Sequence, residues 1–462
     1  MTAYRINQLK HVLMIHSNPQ PIPNLPSLDL PKVVIVGGGF AGLKLAMSLR
    51  NRPFQVILLD KNNYHQFQPL LYQVATAGLG ASAISFPLRK IFHGIPNASF
   101  RMAEAVAVEP AIKRLHTEIG YLDYDHLVLA MGADTNYFGA KNIEYFSSPM
   151  KSVSEALYIR NKLISNYERA ITIPKMEDRK SLMNMVIVGG GPTGVELAGA
   201  MAELRNNVFP KDYPELSFKN MKVVLIEAGP KLLAAMSSEA QSHAFKYLQK
   251  LGVEVFLDTK VLDYDGKVVS IEGKEPIETQ TLLWAAGIKP NRIEGFDSSN
   301  YAGNGRMLVN EFNQLIGVEG VYVLGDQCLL PQGNFPKGHP QVAQVAIQQA
   351  KNLSKNLFRM AKGEHLLPFR YLDLGSMATV GRKLAVVDLP FYKFQGFLAW
   401  MTWLFVHLMA ILGIKNKLFI FLDWSWNYLS IDSSLRLLIK SKYVRASERK
   451  ELIEENGFSD LD

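Results

Sequence analysis

The sequence has 462 residues, of which 48% are apolar and 20% are charged, which suffices for two or three well-filled domains and excludes a disordered chain. Its single cysteine, Cys328, excludes an internal disulfide and a metal site of several cysteines, so redox chemistry here needs a carrier other than protein thiols. The formal net charge of +8 suits nucleic acid, an anionic membrane or phosphorylated cofactors, and does not choose among them.

Residues 1–30 are predicted to form an extension without a secretory signal. The apolar run Val12–Ile15 is too short for one, and no small-residue cleavage site follows it. Pro21, Pro23 and Pro26 indicate that the second half of this extension is a stiff, extended linker rather than a folded element.

The first motif consists of a buried parallel strand, Lys32–Val36, that leads directly into a glycine turn and a helix. In such a turn Gly37 permits the tight bend, Gly39 lets the backbone approach a pyrophosphate, and Gly42 lets the helix pack on the strand. The helix N-terminus adds oriented N–H groups for the phosphates. The next predicted strand ends in Asp60, whose carboxylate can accept the hydroxyls of an adenosine ribose.

The same arrangement recurs later in the chain, where Gly189, Gly191 and Gly194 keep the same three spacings. The acid that ends the second strand of this copy, Glu227, would repel a 2′-phosphate, so the copy is predicted to prefer NAD(H) to NADP(H). Glu227 lies thirty-three residues after the third glycine, and we attribute the excess over the usual ~20 to a longer helix and a polar loop at 206–220.

One glycine motif is weak evidence, because such turns also occur where they only pack a helix on a strand. Two copies, each preceded by a strand and followed by an acid, predict two dinucleotides, a flavin and a nicotinamide. The sequence therefore predicts an α/β fold with two Rossmann-like domains, one for FAD and one for NADH.

A further helix is predicted with Pro340 in its first turn. Gln344 and Gln348 are four residues apart, so both side chains project from one face of this helix. Small Ala343 and Ala346 would let a flat ring pack against it. From the residues alone, the same face could equally be a polar stripe exposed to solvent.

The C-terminal part contains twenty-one residues without formal charge, Phe394–Ile414, enough to cross a membrane. Gln395 and His407 lie within this stretch and a second aromatic run, Leu418–Leu429, follows it, which favours helices lying in the headgroup region. A spanning helix and a buried dimer interface remain as alternatives. A basic tail would add attraction to anionic lipid and includes Arg436, Lys440, Lys442 and Arg445.

Together these motifs resemble the two-dinucleotide-binding flavoproteins and, within them, the type II NADH dehydrogenases, which are single-chain NADH:quinone oxidoreductases. The likeness runs from about residue 31 to about residue 440. The segments that carry it are Asn63–Ala75, Ala130–Ala133, Thr193–Gly199, Val321–Asp326 and Ala343–Ala350.

The resemblance implies an FAD domain in two chain segments, interrupted by the NADH domain and followed by a membrane-associating region. The expected bounds are 31–150 and 296–375 for the FAD domain, 151–295 for the NADH domain and 376–462 for the C-terminal region.

The resemblance also implies roles for single residues near the cofactors. Asp326 would hold the ribityl hydroxyls of the flavin, although a strand-ending aspartate can also merely cap a turn. Gly132 and Ala343 would border the flavin, and Met131 replaces the threonine that is usual beside Gly132. Gly287 would let the nicotinamide side of NADH approach.

On the quinone side, the resemblance places Gln344 and Gln348 at the quinone head group. It places Glu196 near the flavin, in NADH handling or proton delivery, although the residue could simply be an acid stabilised by its helix dipole. A basic residue near the quinone is assigned to Lys383, with Arg382 as the alternative match, although the two could also be a solvated charge pair.

The function that follows is transfer of hydride from NADH to FAD and then of two electrons to a membrane quinone, without proton pumping. A peripheral, monotopic location on the cytoplasmic face of the inner membrane and a homodimer are family expectations. No metal and no nucleic acid are predicted. The rivals are a soluble NADH-dependent reductase of an iron–sulfur protein and a flavin- and NADH-binding sensor or scaffold. Disulfide reductases need more cysteines than Cys328.

Overall fold

The computed structural model describes residues 20–430 and 436–438. Its strands are β1 (Lys32–Val36), β2 (Gln55–Asp60), β3 (Tyr64–Gln66), β4 (Ser85–Pro87), β5 (Ala98–Met102), β6 (Ala105–Glu109), β7 (Arg114–Thr117), β8 (Gly120–Asp123), β9 (His126–Leu129), β10 (Ala133–Thr135), β11 (Ser148–Pro149), β12 (Met185–Val188), β13 (Val223–Ile226), β14 (Glu254–Phe256), β15 (Val261–Tyr264), β16 (Val268–Ile271), β17 (Ile277–Glu278), β18 (Thr281–Trp284), β19 (Ile288–Pro290), β20 (Met307–Leu308), β21 (Val321–Val323), β22 (Cys328–Leu329), β23 (Ser376–Thr379), β24 (Ala385–Asp388) and β25 (Lys393–Gln395).

The α-helices are α1 (Phe40–Ser48), α2 (Leu71–Ala75), α3 (Leu88–Ile91), α4 (Lys141–Phe146), α5 (Val153–Ile171), α6 (Met176–Met183), α7 (Pro192–Glu203), α8 (Phe209–Asp212), α9 (Ser238–Lys250), α10 (Ala343–Ala361), α11 (Phe397–Ala410) and α12 (Ile414–Ser430).

The first Rossmann-like sheet joins two distant parts of the chain. Its strand order is β21-β9-β1-β2-β5, and all four pairings are parallel. The strands of such a sheet are apolar throughout because helices cover it, and Val33, Val34 and Ile35 are fully buried. Helices α1 and α10 pack against each other beside the sheet. The chain therefore returns to its first sheet after residue 300, with β21.

The second Rossmann-like sheet has the order β11-β18-β12-β13-β14, again parallel throughout. The long connection between β12 and β13 differs from the prediction. Helix α7 continues through a π-helical turn, Leu204–Val208, directly into α8, so the first part of the predicted 206–220 loop is helical. The two parallel sheets confirm the predicted fold class.

The two halves meet at a crossover in which β10 pairs antiparallel with β19. The Met131 N–H donates to Gln327 Oε1 at 2.7 Å, and Asn291 Nδ2 donates to Met131 O at 2.9 Å. Gln327 Nε2 in turn donates to Asn291 O at 2.7 Å. These three hydrogen bonds tie the crossover to the segment that carries Asp326.

The C-terminal antiparallel sheet, β23-β24-β25, lies between the second half and the following helix. Alternate side chains of a strand point to opposite faces, and β24 shows this directly. Val386 belongs to the apolar core of the second half, whereas Ala385 and Val387 pack with Ala399 of α11.

The uncharged stretch predicted over Phe394–Ile414 holds the end of β25, helix α11 and a turn at Gly413, whose φ is +78°. Helix α12 begins at the last residue of the stretch, Ile414, and covers the second aromatic run. These helices have 14 and 17 residues. Within the described part of the chain, no helix is long and apolar enough to cross a membrane. Both expose many large apolar side chains, including Phe397, Leu398, Met401, Phe405, Met409, Ile414, Leu418, Phe419, Leu422 and Trp426.

The described ends of the chain are packed on the protein. Ile22 is buried and its N–H donates to Tyr121 O at 3.0 Å, so the proline-containing part of the extension is not a free linker. Arg436 forms an ion pair with Asp212 of α8. The other residues of the basic tail, Lys440, Lys442 and Arg445, lie outside the described residues.

Candidate functional site

The first glycine turn is shaped as its spacing predicts. Gly37 has φ +105°, and a Cβ there would lie 2.2 Å from Ala130 O. A Cβ at Gly42 would lie 1.8 Å from Gly37 O. A Cβ at Gly39 would have no heavy atom of the described residues within 4 Å. Two glycines are therefore required by packing, and the third opens the N-terminus of α1 to a ligand.

The acid that follows β2 is held at this turn. The Gly38 N–H donates to Asp60 Oδ2 at 2.6 Å, and the Asn62 N–H donates to Asp60 Oδ1 at 2.7 Å. Burial raises the pKa of Asp60, and these two N–H groups oppose the effect. His65, from one of the segments that carry the family resemblance, also reaches the turn through Nδ1, 2.8 Å from Gly38 O.

The second turn has nearly the same dimensions. A Cβ at Gly189, whose φ is +111°, would lie 2.4 Å from Ala285 O, and one at Gly194 would lie 1.8 Å from Gly189 O. Gly191 is open like Gly39. The Glu227 carboxylate accepts from the N–H groups of Gly190 and Gly229. The chain thus builds the same phosphate-binding arrangement twice.

Asp326 lies where the first glycine turn meets α10. A Cβ at the preceding Gly325 would be 3.4 Å from Ala346 and 3.9 Å from Ala41, so α1, α10 and the end of β21 converge there. Burial raises the pKa of Asp326, whereas Lys151 and Arg306 lower it. No hydrogen bond from the described residues reaches its carboxylate. An open glycine turn with an unused acid beside it fits FAD.

Two further residues predicted to border the flavin lie close to this point. Ala343 is the first residue of α10, which begins three residues after Pro340 rather than with it. The prediction that Pro340 lies in the first helical turn was therefore wrong. Val342, directly before the helix, has an extended backbone. Gly132 has φ +69°, and a Cβ there would face open space.

Glu196 lies on α7 at a cavity of about 200 Å³. Its side chain is buried, and its Oε1 accepts from the Thr379 N–H at 3.4 Å. Burial raises the pKa of Glu196 to about 8, against smaller opposing effects of the Thr379 N–H and the Trp403 indole. The carboxyl is therefore mostly protonated at neutral pH.

The cavity at Glu196, called the Glu196 cavity below, combines aromatic walls with a few polar groups. Helices α2, α7, α11 and α12 and strand β23 all contribute to it. Its lining includes Tyr72, Gln73, Thr76, Glu196, Ala200, Thr379, Arg382, Trp400, Leu404, Trp424 and Tyr428.

A chain of hydrogen bonds crosses the wall of the Glu196 cavity. Trp424 Nε1 of α12 donates to Gln73 Oε1 at 2.8 Å, and Gln73 Nε2 donates to the Tyr72 hydroxyl at 3.0 Å. The hydroxyls of Tyr72 and Thr379 are 3.0 Å apart. Since the Thr379 N–H reaches Glu196, the chain links the C-terminal helix to the buried acid.

Gln344 and Gln348 project from one face of α10 as predicted, but they do not line the Glu196 cavity. Gln344 Nε2 donates to Gly375 O at 3.1 Å, and Gln344 Oε1 accepts from Leu374 N–H at 3.1 Å. Gln348 makes the same pair of bonds with Leu372, at 2.8 and 3.0 Å. Both amides therefore hold the segment that leads into β23.

The basic pair predicted near the quinone surrounds Tyr428 of α12. Arg382 lines the Glu196 cavity, with its guanidinium 5.3 Å from the Tyr428 ring and bonded to the Tyr428 carbonyl. Lys383 Nζ lies 4.8 Å from the same ring. The Tyr428 ring also stacks on Trp400, with ring centroids 5.8 Å apart.

Sequence reasoning did not single out the Tyr72, Gln73, Thr379 and Trp424 side chains. Tyr72 and Gln73 belong to a segment quoted only for its resemblance, and Trp424 was one member of an aromatic run. The available signal was their type, since hydroxyl, amide and indole groups amid apolar sequence usually need a partner when buried.

Two dinucleotide turns, joined by a crossover and followed by a separate C-terminal part, define a two-dinucleotide-binding flavoprotein. The pyridine nucleotide-disulphide oxidoreductase family matches residues 31–350, and the NDH2 C-terminal domain matches residues 374–430. The chain belongs to the type II NADH:quinone oxidoreductases.

Similar proteins support this assignment over nearly the whole chain. The type II NADH:quinone oxidoreductase Ndh of Mycobacterium tuberculosis is 33% identical, with 89% of this chain and 91% of that protein covered. The external NADH-ubiquinone oxidoreductase 2 of Saccharomyces cerevisiae mitochondria is 28% identical, with 90% and 84% covered. The structure of NDH2 from Plasmodium falciparum in complex with NADH has a TM-score of 0.82 at 22% identity, covering 89% of this chain and all of that one.

Proposed function

We propose that NADH binds at the second glycine turn and that a quinone is reduced in the Glu196 cavity. The reaction class follows from membership of the type II NADH:quinone oxidoreductases: the chain is an FAD-dependent enzyme that oxidises NADH, reduces a quinone and does not pump protons. The observation that carries the location is a buried, largely protonated acid in an aromatic cavity bordered by the exposed apolar helices.

FAD is assigned to the first half of the molecule. Gly37, Gly39 and Gly42 would admit its pyrophosphate, Asp60 would accept the adenosine ribose hydroxyls, and Asp326 the ribityl hydroxyls. Gly132 and Ala343 would border the ring. The flavin, when bound, supplies the two-electron chemistry that protein side chains cannot.

NADH is assigned to the corresponding positions of the second half. Gly189, Gly191 and Gly194 would admit the pyrophosphate, and Gly287 the nicotinamide side. Glu227 already holds two backbone N–H groups and would meet the 2′ position of the ribose. A 2′-phosphate there would place its negative charge beside the Glu227 carboxylate, so NADPH should be a poor substrate.

In the Glu196 cavity the side chains have two tasks, to orient a flat apolar ring and to supply a proton. Trp400, Trp424 and Leu404 offer apolar surface to the ring. Reduction of a quinone to a quinol consumes two protons with two electrons. A buried acid with a pKa of about 8 is suited to donate one of them near neutral pH.

We propose that Gln344, Gln348 and Lys383 contribute to the quinone site indirectly, by positioning other elements. Since both glutamine amides bind the backbone at 372–375, they would position β23, the strand that carries Thr379. Lys383, on the ring of Tyr428, would hold α12 against the Glu196 cavity.

For the membrane, we propose that the exposed apolar faces of α11 and α12 contact lipid, on the cytoplasmic side of the inner membrane. Fourteen- and seventeen-residue helices with exposed Phe405, Phe419 and Trp426 have the composition of in-plane anchors. Part of this apolar surface would also serve a homodimer, because exposed patches of this kind mark contact sites.

The location of quinone reduction can be tested by filling the Glu196 cavity. Ala200 of α7 lines it, so Ala200→Phe should raise the KM for quinone or lower the rate of quinone reduction by at least about tenfold, while flavin reduction by NADH stays within about twofold. The matched control is Ala361→Phe at the exposed end of α10. Unchanged quinone kinetics in Ala200→Phe would contradict the assignment.

A further inference from the structure

The segment after β10 is joined to the end of β18 and to Gly287 by two hydrogen bonds, and a third, local bond shapes its turn. The Asn136 N–H donates to Gly287 O at 3.0 Å, and Trp284 Nε1 donates to Asn136 O at 2.9 Å. The Phe138 N–H donates to Asn136 Oδ1, also at 2.9 Å. The position of Phe138 relative to the end of β18 is therefore set by the fold.

Phe138 has an unfavourable backbone conformation and an unfavourably exposed side chain. Its φ of +53° lies in the left-handed region, which a residue with a Cβ seldom adopts. The residue is 68% exposed, although burial of a phenylalanine side chain is strongly favourable. The ring lies over Gly287, since a Cβ on that glycine would be 2.8 Å from Phe138 Cζ. Neither backbone preference nor burial explains this placement, and costs of this kind concentrate at functional sites.

The strand order of the second sheet indicates which part of a bound dinucleotide would lie near Phe138. In the second sheet β12 lies between β13 and β18. Glu227 follows β13, the glycine turn follows β12, and Gly287 follows β18. A dinucleotide whose pyrophosphate lies on the central turn and whose adenosine ribose meets Glu227 must extend its other half over β18. That half is the nicotinamide riboside.

We propose that Phe138 is a positioning residue for NADH, its ring packing against the nicotinamide riboside half of the bound dinucleotide. The inference rests on the proposed placement of NADH at the second glycine turn. An exposed aromatic ring at a site of this kind offers a flat apolar surface to a flat heterocycle. Because Gly287 has no Cβ, the Phe138 ring can pack against its backbone, and the exposed part of the ring remains available to the ligand.

The test compares two ligands that share their adenosine half. Binding of NAD⁺ and of ADP-ribose, which lacks the nicotinamide, is measured on the oxidised holoenzyme by calorimetry. Phe138→Ala should weaken NAD⁺ binding about three- to tenfold and leave ADP-ribose within about twofold. Phe138→Tyr should restore NAD⁺ binding. Tyr145→Ala, which removes another exposed aromatic of the same half, should change neither ligand.

The controls separate this inference from its premise. Glu227→Ala should weaken both ligands, and no change in either would overturn the placement of NADH itself. If Glu227→Ala behaves as expected but Phe138→Ala weakens both ligands equally or neither, the positioning role of Phe138 is overturned. Phe138→Leu, which keeps apolar bulk without the flat ring, should fall between alanine and wild type and provides a second variant should Phe138→Ala not fold.

Discussion

Replacing Glu196 by glutamine removes the titrating proton of this side chain while keeping its size. The glutamine oxygen can still accept from the Thr379 N–H, which lies 3.4 Å from Glu196 Oε1. The variant therefore separates proton supply from shape and packing.

The size of the effect follows from the pKa of about 8. Burial favours the neutral carboxyl, so the proton is present at low pH and lost as the pH rises through 8. About ten elevenths of the molecules are protonated at pH 7 and about one eleventh at pH 9. A step that uses this proton should slow about tenfold over that range.

Two buried titratable side chains, Tyr72 and His407, do not produce the same pH dependence. Burial raises the pKa of Tyr72 far above neutrality, and burial lowers the pKa of His407, which stacks on Trp403, to about 4. Both side chains are thus neutral from pH 6 to 9.

The assay is stopped-flow oxidation of the NADH-reduced holoenzyme by a short-chain quinone, recorded through the flavin absorbance under anaerobic conditions. Wild type should show the tenfold fall between pH 7 and pH 9. Glu196→Gln should be slower at pH 7 by on the order of 100-fold, the lower end of general-acid effects, and flat with pH. Flavin reduction by NADH should stay within about twofold.

Two results would refute this reasoning. A Glu196→Gln enzyme that keeps both the wild-type rate and its fall above pH 7 would place the proton source elsewhere. A loss confined to the reduction of the flavin by NADH would move Glu196 from quinone chemistry to NADH handling, the other role that the family resemblance allowed.

Three further predictions concern the other parts of the account. NADPH should be on the order of 100-fold poorer than NADH in kcat/KM, and Glu227→Ala should narrow this ratio at least tenfold in steady-state assays; equal use of both nucleotides by wild type would contradict the assignment. Trp424→Phe, which removes the 2.8 Å bond to Gln73, should raise the KM for quinone about three- to tenfold without changing that for NADH. Phe405→Asp should lower co-sedimentation with anionic lipid vesicles about tenfold, whereas Leu262→Asp, at a similarly exposed position, should not.

The sequence predicted those features that local patterns determine. Strand β1 has the predicted bounds because an apolar run followed by a glycine turn allows few other arrangements. The acids after the second strands lie at their glycine turns for the same reason. The fold class follows once two such units occur in one chain.

Features that depend on packing were harder to predict. The helix after Glu203 continues through a π-helical turn despite polar residues and a proline, because Leu204, Val208 and Phe209 bury apolar side chains in the core of the second half. Helix α10 begins at Ala343 rather than at Pro340. Helix boundaries of this kind reflect tertiary contacts that override local preference.

The Glu196 cavity could not be assembled from the sequence. It joins Tyr72 to Glu196, Thr379 and Trp424, residues separated by up to about 350 positions, and no periodicity relates them. The glutamines of α10 show the converse, since their shared helix face was predictable, whereas their partners at 372–375 depend on how a later segment folds back.

The central claim is that one flavin takes electrons from NADH and gives them to a quinone. The most direct measurement is anaerobic titration of the purified holoenzyme with NADH, followed by addition of a short-chain quinone, with flavin absorbance recorded throughout. The account predicts bleaching by NADH and prompt recovery on adding quinone. Recovery only with an iron–sulfur protein as acceptor, or no bleaching at all, would contradict it.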